Sequence, residues 1–322
     1  MPAALLQQET DAEEAVAQIE ALVNAPWFPR IIDPRFFEHI KSEGRVPRLG
    51  DMRAAHSYRG WMLFQVWLLS GTRGIHSRWI YYFETLAAGR ILDRPIPPLS
   101  FSTPPQTKDG TLSHLRKLVE KLGREHGYGE RALNTLIEWI AFGLGICDAR
   151  PDVSEKTARW LYEQLDITAF LTWPYDYMGH LLEEERGNSK RFQGFFLTHD
   201  RVCELMAALA LEDFEGDIRR ARVHEPAVGS ARQLLHASNH SLALTAADID
   251  PVCVVVTLIN SACHCPWLAF PIPAHILESA AADAEAAERV PHRPDARDVL
   301  PAVETPRGAQ TSAGRQTTLF DF

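Results

Sequence analysis

Through the first half of the chain, apolar residues recur at helical spacing; in the second half they gather into short runs separated by turns. Thr10-Asp11-Ala12-Glu13 forms a capping box, which predicts a helix over 11–24 with Ala15, Ile19, Leu22 and Val23 on one face. Two further helices are predicted over 55–70 and 77–88. Their aromatics Trp61, Phe64, Trp67, Trp79, Tyr82 and Phe83 fall at helical spacing among Leu and Ile, so they read as core rather than as a base-stacking surface. Pro95, Pro97, Pro98, Pro104 and Pro105 punctuate a loop over 92–110. Amphipathic helices follow over 112–125, 130–144 and 155–165, the last capped by Ser154.

Beyond residue 170 the pattern changes. A helix is predicted over 202–211, then a short strand over 222–224, a helix over 233–240 and a second strand over 243–247. Residues 263–273 read as a third strand. Between the first strand and its helix lies Glu225-Pro226-Ala227-Val228-Gly229-Ser230-Ala231. A strand–turn–helix unit of this kind presents backbone N–H groups to a nucleotide-like ligand. Gly229 lets the backbone approach, and Ser230 and Ala231 keep the approach free of bulk. Asp248 ends the second strand about twenty residues later, where a carboxylate suits ribose hydroxyls. From residue 274 large apolar groups almost vanish, so a mobile tail is expected over 274–322.

Three ordered stretches, Gly194-Phe195-Phe196-Leu197-Thr198-His199, Glu225 to Ala231 and Asp248-Ile249-Asp250-Pro251, carry a family resemblance. Over roughly residues 170–270 the chain resembles the cofactor half of adenine-N6 DNA methyltransferases of the type I restriction modification-subunit kind. Those have a Gly-Gln-Phe-Phe-Thr-Pro loop, then Asp-Pro-Ala-Cys-Gly-Ser-Gly, then Glu-Ile-Asn-Pro. The resemblance implies an S-adenosylmethionine site made by Phe195, Phe196, Thr198, Glu225, Pro226, Ala227, Gly229, Ser230, Asp248 and Ile249. It also implies a helix over 252–262, against the strand propensity of Val252, Val254, Val255 and Val256, and a linker helix near 174–184. The predicted fold class is α plus α/β. A helical domain (1–170) precedes a partial Rossmann-like methyltransferase domain (171–273) and a disordered tail.

The chemical half of such an enzyme is not found. Its Asn-Pro-Pro-aromatic motif would accept from the adenine amine and stack on the extruded base. Pro97-Pro98 and Pro104-Pro105 lack the flanking groups, Cys265-Pro266-Trp267 lies too near the second strand, and Trp173-Pro174-Tyr175 has no amide or acid before its proline. No catalytic residue is assigned. Ala231 and His199 also stand where the family has glycine and proline. With only the tail after residue 273, strands four to seven of the sheet are missing, which leaves strand one an open edge for the helical domain, a second subunit or a second copy.

Charge narrows the partners. A formal net charge of −9 disfavours DNA binding by the whole surface, so DNA contact would need a local patch such as Arg186, Lys190 and Arg191. The five cysteines, an odd number with no secretory signal before them, fit a reducing cytoplasm. Cys263-His264-Cys265 is too tight for a zinc half-site and reads as buried thiols, and no apolar run is long enough for a membrane span. Finally, Gln316-Thr317-Thr318-Leu319-Phe320-Asp321-Phe322 resembles the peptide that docks on DNA sliding clamps. Gln316 would bond the pocket rim, and Leu319, Phe320 and Phe322 would fill it. The expected protein is thus a methyltransferase-like, clamp-recruited chain that binds S-adenosylmethionine or DNA with little methyl transfer. The alternatives are an active adenine-N6 methyltransferase, alone or with a second subunit, and a non-enzymatic module that interferes with restriction or replication.

Overall fold

The computed structural model describes residues 31–36, 55–73, 75, 77–101, 105–187, 196–279 and 317–318. Its first half is helical. A 3-10 turn at Ala55–Ser57 leads into α1 (Trp61–Arg73), followed by α2 (Arg78–Ala88), α3 (Pro105–His126), α4 (Glu130–Gly143), α5 (Glu155–Gln164) and α6 (Ile167–Thr172). The expected cap of α5 forms: Ser154 Oγ accepts from Thr157 N at 3.1 Å. The aromatics assigned to the core are there, with Trp61, Trp67 and Trp79 at most 2 % exposed. The helix predicted over 11–24 lies outside the described residues.

The loop predicted over 92–110 is a correction, because α3 already begins at Pro105. Proline suits a first helical position, where its missing N–H would have no partner anyway. Read as a loop signal, it hid the helix start.

The second half continues with α7 (Tyr177–Gly187), α8 (Asp200–Leu211), a 3-10 turn at Ile218–Arg220, β1 (Arg222–Glu225), α9 (Arg232–Ala237), β2 (Ala243–Asp248), α10 (Pro251–His264), α11 (Pro266–Ala269) and α12 (Ala274–Glu278). β1 and β2 are parallel, with Arg222 opposite Ala243 and Glu225 opposite Ala246. A further strand, β3 (Thr317–Thr318), runs antiparallel to β2, giving the order β1-β2-β3. The architecture is therefore mainly helical with a small α/β unit.

The valine-rich segment after β2 is helical, as the resemblance implied. Asp250 caps it by accepting from Val252 N at 2.9 Å, and Pro251 takes the first position. From Val256 to His264 α10 is buried on every side, so packing overrides the local preference of its valines. The third strand predicted over 263–273 is wrong. α10 runs on through His264, and Pro266 starts α11. The tail expected from residue 274 also begins too early, since Ala274–Glu278 is helical and Ile276 is 3 % exposed.

The core is continuous between the two halves. Arg78, fully buried in α2, donates to Ser238 Oγ at 2.7 Å and to the His264 carbonyl at 3.0 Å, and its Nη2 also reaches Asn239 Oδ1. Its guanidinium lies 5.2 Å from the Trp267 ring centre. Trp79 Nε1 donates to the Ala262 carbonyl at 2.9 Å. Among the described residues, no helix is long and apolar enough to cross a membrane.

Candidate functional site

The turn after β1 is built from the residues singled out in the sequence. Glu225 Oε1 accepts from Ala227 N at 3.3 Å, closing the turn on itself. Val228 N donates to the Ala247 carbonyl at 3.0 Å, which holds the turn against the end of β2. Gly229 adopts a φ of +55°, and its N–H donates to Asp248 Oδ2 at 2.8 Å. The other carboxylate oxygen, Oδ1, accepts from Asp250 N at 2.9 Å. Gly229 and Asp248 are thus direct neighbours, and two backbone N–H groups orient the carboxylate. A carboxylate offers about four lone-pair sites, so each oxygen keeps acceptor capacity beyond the bond it makes.

Ala231 is the one described residue other than glycine with a positive φ, at +72°, and it is fully buried. This is where the resembled family carries glycine. The side chain does not prevent the left-handed bend; it adds strain to it.

Behind the turn lies a hub that the sequence reading missed. Asp176, 2 % exposed, receives four hydrogen bonds. Ser230 Oγ and Arg232 Nε donate to Oδ2 at 2.5 and 2.8 Å, and Gly179 N and Asn260 Nδ2 donate to Oδ1 at 2.9 and 2.7 Å. Gly179 is needed there: a Cβ would sit 2.2 Å from Asp176 Oδ2 and 2.5 Å from Ser230 Cβ. One carboxylate therefore ties together the start of α7, the turn and α10. Ser230 is not turned toward a ligand, since its hydroxyl belongs to this hub. The one available signal was an aspartate three residues before a glycine at a helix start, a capping pattern.

The loop before α8 joins the same region. Leu197 N donates to Glu183 Oε1 at 3.1 Å, and Arg232 Nη1 donates to the Thr198 carbonyl at 3.3 Å. His199, standing where the family has proline, caps α8 by accepting from Arg201 N on Nδ1 at 3.3 Å. Phe196 is 80 % exposed and Ile249 77 % exposed; Thr198, Pro226 and Ala227 are also exposed. Phe195, Lys190 and Arg191 lie outside the described residues, as do Gln316, Leu319, Phe320 and Phe322.

Several candidate groups have other work. Arg186 is neither a phosphate contact nor a solvated turn residue: it is 3 % exposed and bonded to Glu130 Oε1 at 3.0 Å and Asp250 Oδ2 at 2.5 Å. Burial alone would lower its pKa, but those carboxylates raise it above the usual guanidinium value. Two arginines never assigned a role, just before β1, are also engaged: Arg219 pairs with Asp217, and Arg220 donates to the Leu277 carbonyl. Cys265-Pro266-Trp267 cannot stack an extruded base. Trp267 is fully buried with Nε1 on the Ser241 carbonyl at 3.0 Å, and burial pushes the Cys263 and Cys265 thiols up to about 12. Among the described residues, no group of three or more His, Cys, Asp or Glu side chains is placed to hold a metal.

An open cleft of about 670 Å³ is lined by Arg116, Glu120, Tyr128, Leu181, Glu183 and Glu184 among others, and by no residue of the turn itself. Arg116 and Glu184 pair at its rim at 2.5 Å. No family model, curated protein or solved structure matches the chain.

Proposed function

We propose that this chain is a methyltransferase-like protein that binds the adenosine part of S-adenosylmethionine at the β1–α9 turn without transferring its methyl group. The observation that carries the reading is the Asp248 carboxylate. It ends a parallel strand, is fixed by Gly229 N at 2.8 Å and Asp250 N at 2.9 Å, is 8 % exposed, and has lone pairs beyond those two bonds with which it would accept from a ribose hydroxyl. Ile249, the next residue, is an exposed apolar side chain suited to the face of a base. Phe196, from the loop that Arg232 draws toward α9, is a second such group. When bound, the cofactor would bring an activated methyl group. No described residue pairs an amide or carboxylate with an adjacent Pro-Pro-aromatic run to receive an adenine amine.

Recruitment to a DNA sliding clamp by Gln316, Leu319, Phe320 and Phe322 belongs to the same proposal. It rests on the sequence motif. Equilibrium dialysis with labelled S-adenosylmethionine tests the binding, and methyl incorporation into DNA tests the chemistry. Saturable binding without incorporation is expected. Incorporation above background would instead make the protein an active adenine methyltransferase. Clamp pull-down by the wild type but not by Leu319→Ala/Phe320→Ala tests the tail, and equal recovery would remove it from the account.

A further inference from the structure

Helix α8 carries two apolar faces and buries one. Cys203, Ala207 and Leu211, spaced four residues apart, are buried, and α8 packs on α9. Val202, Leu205, Met206 and Leu209 follow the i, i+3, i+4, i+7 spacing of a second face. These four, and Phe214 just beyond the helix, are between 42 and 60 % exposed. Together they present roughly 450 Å² of apolar surface, in the range of the largest patches on monomers, which are often functional.

The charges flanking this face select its occupant. Arg201 is exposed in the first turn of α8, and Glu212, Asp213 and Glu215 are exposed at its end. Carboxylates there oppose the helix's own dipole, whose C-terminal end is negative, so they favour a cation brought from outside. They also repel nucleic acid and anionic lipid. We propose that α8 pairs antiparallel with α8 of a second copy of this chain, about a two-fold axis between Leu205 and Met206. In that register Val202 meets the partner's Leu209, and Leu205 meets the partner's Met206. Arg201 then lies within one turn of the partner's Glu212 and the partner's Asp213, and the same contact recurs on the other side of the axis. A parallel pair would instead set Arg201 against the partner's Arg201 and Glu212 against the partner's Glu212. Two such faces supply roughly 900 Å² of apolar area. Homodimer interfaces are about 65 % apolar, so the whole contact comes to about 1,400 Å², inside the range of about 1,200–2,000 Å² for specific interfaces.

Sedimentation equilibrium of the full chain tests the pairing. The mass is expected to rise with concentration from one chain to two. Leu205→Glu/Leu209→Glu, at exposed positions, should stay at the mass of one chain with an unchanged melting temperature. Arg201→Glu and Glu212→Arg should each weaken association about tenfold, and the double swap Arg201→Glu/Glu212→Arg should restore it. Each single swap suits the dipole of its own helix, so weaker association cannot come from unfolding. The mass of one chain at every concentration would overturn the proposal and leave the face to another occupant. A dimer that survives Leu205→Glu/Leu209→Glu would overturn it as well. So would single swaps without effect, or a double swap that restores nothing, because either result contradicts the antiparallel register.

Discussion

Among single side chains, Asp176 and Ala231 govern the shape of the turn. Asp176 satisfies Ser230, Arg232, Gly179 and Asn260 from one buried position. Removing it leaves a guanidinium that is nine-tenths buried without its carboxylate. Losing one partner of such a pair costs about 3–5 kcal/mol. Asp176→Ala is therefore expected to lower the unfolding free energy by that amount, read as a lower urea midpoint with an unchanged slope. Ala231 behaves oppositely. A left-handed alanine costs roughly 1–2 kcal/mol, while its buried methyl contributes about 0.8 kcal/mol. Ala231→Gly should thus be neutral to stabilising by about 1 kcal/mol in thermal melts. Ala262→Gly, within helix α10 and equally buried, should destabilise by about 1 kcal/mol or more.

At the level of elements, the parts that follow local rules were legible. The capped helix α5, the core aromatics of α1 and α2, and the order strand, turn, helix, strand could be read from periodicity and caps. The failures have physical causes. Pro105 opens a helix, although prolines in series signal a loop. Residues 263–273 look strand-like, yet Pro266 restarts a helix immediately after α10. The turn itself was recognisable at Gly229 and Asp248. Its hub was not, because Asp176, Ser230 and Asn260 meet only through the tertiary fold. The 3-10 turn before β1 carries a pH-dependent contact of the same non-local kind. Burial pushes the Asp217 carboxyl up, but paired bonds from Arg219 at 2.8 Å outweigh it, so its pKa lies below the usual value. A carboxylate lowered by folding stabilises above its unfolded pKa, and that contribution disappears as pH falls through the folded value. The stability gap between wild type and Asp217→Asn should therefore be widest near pH 6 and narrow as pH drops below about 4. Urea titrations at both pH values measure it, and a constant gap would contradict the assignment.

Across the described residues of the whole molecule, the helical half and the α/β unit share one core, and Arg78 is a fully buried polar link between them. Burial pulls its pKa down to about 10, which still leaves it charged at neutral pH. Its donors face carbonyls and amide or hydroxyl oxygens, with Trp267 stacked on the guanidinium. Arg78→Met removes the charge but orphans several buried acceptors, each costing about 1–3 kcal/mol. The expected result is a loss of roughly 3 kcal/mol or more in one cooperative transition seen by both near-UV and far-UV dichroism. Two separated transitions would show that the halves unfold independently. In the small sheet, helices α10 and α11 pack against β2, and its outer edge meets β3.

The claim on which the functional account depends is that the Gly229–Asp248 corner receives an adenosine. Titration calorimetry with S-adenosylmethionine on wild type and Ile249→Ala tests it most directly. Ile249 is 77 % exposed, so the substitution leaves folding intact and the melting temperature serves as its control. The account predicts saturable micromolar binding by the wild type, weakened about tenfold in the variant, corresponding to about 1.4 kcal/mol of lost apolar contact. Absence of binding at millimolar cofactor, or equal affinity in the two proteins, would contradict it.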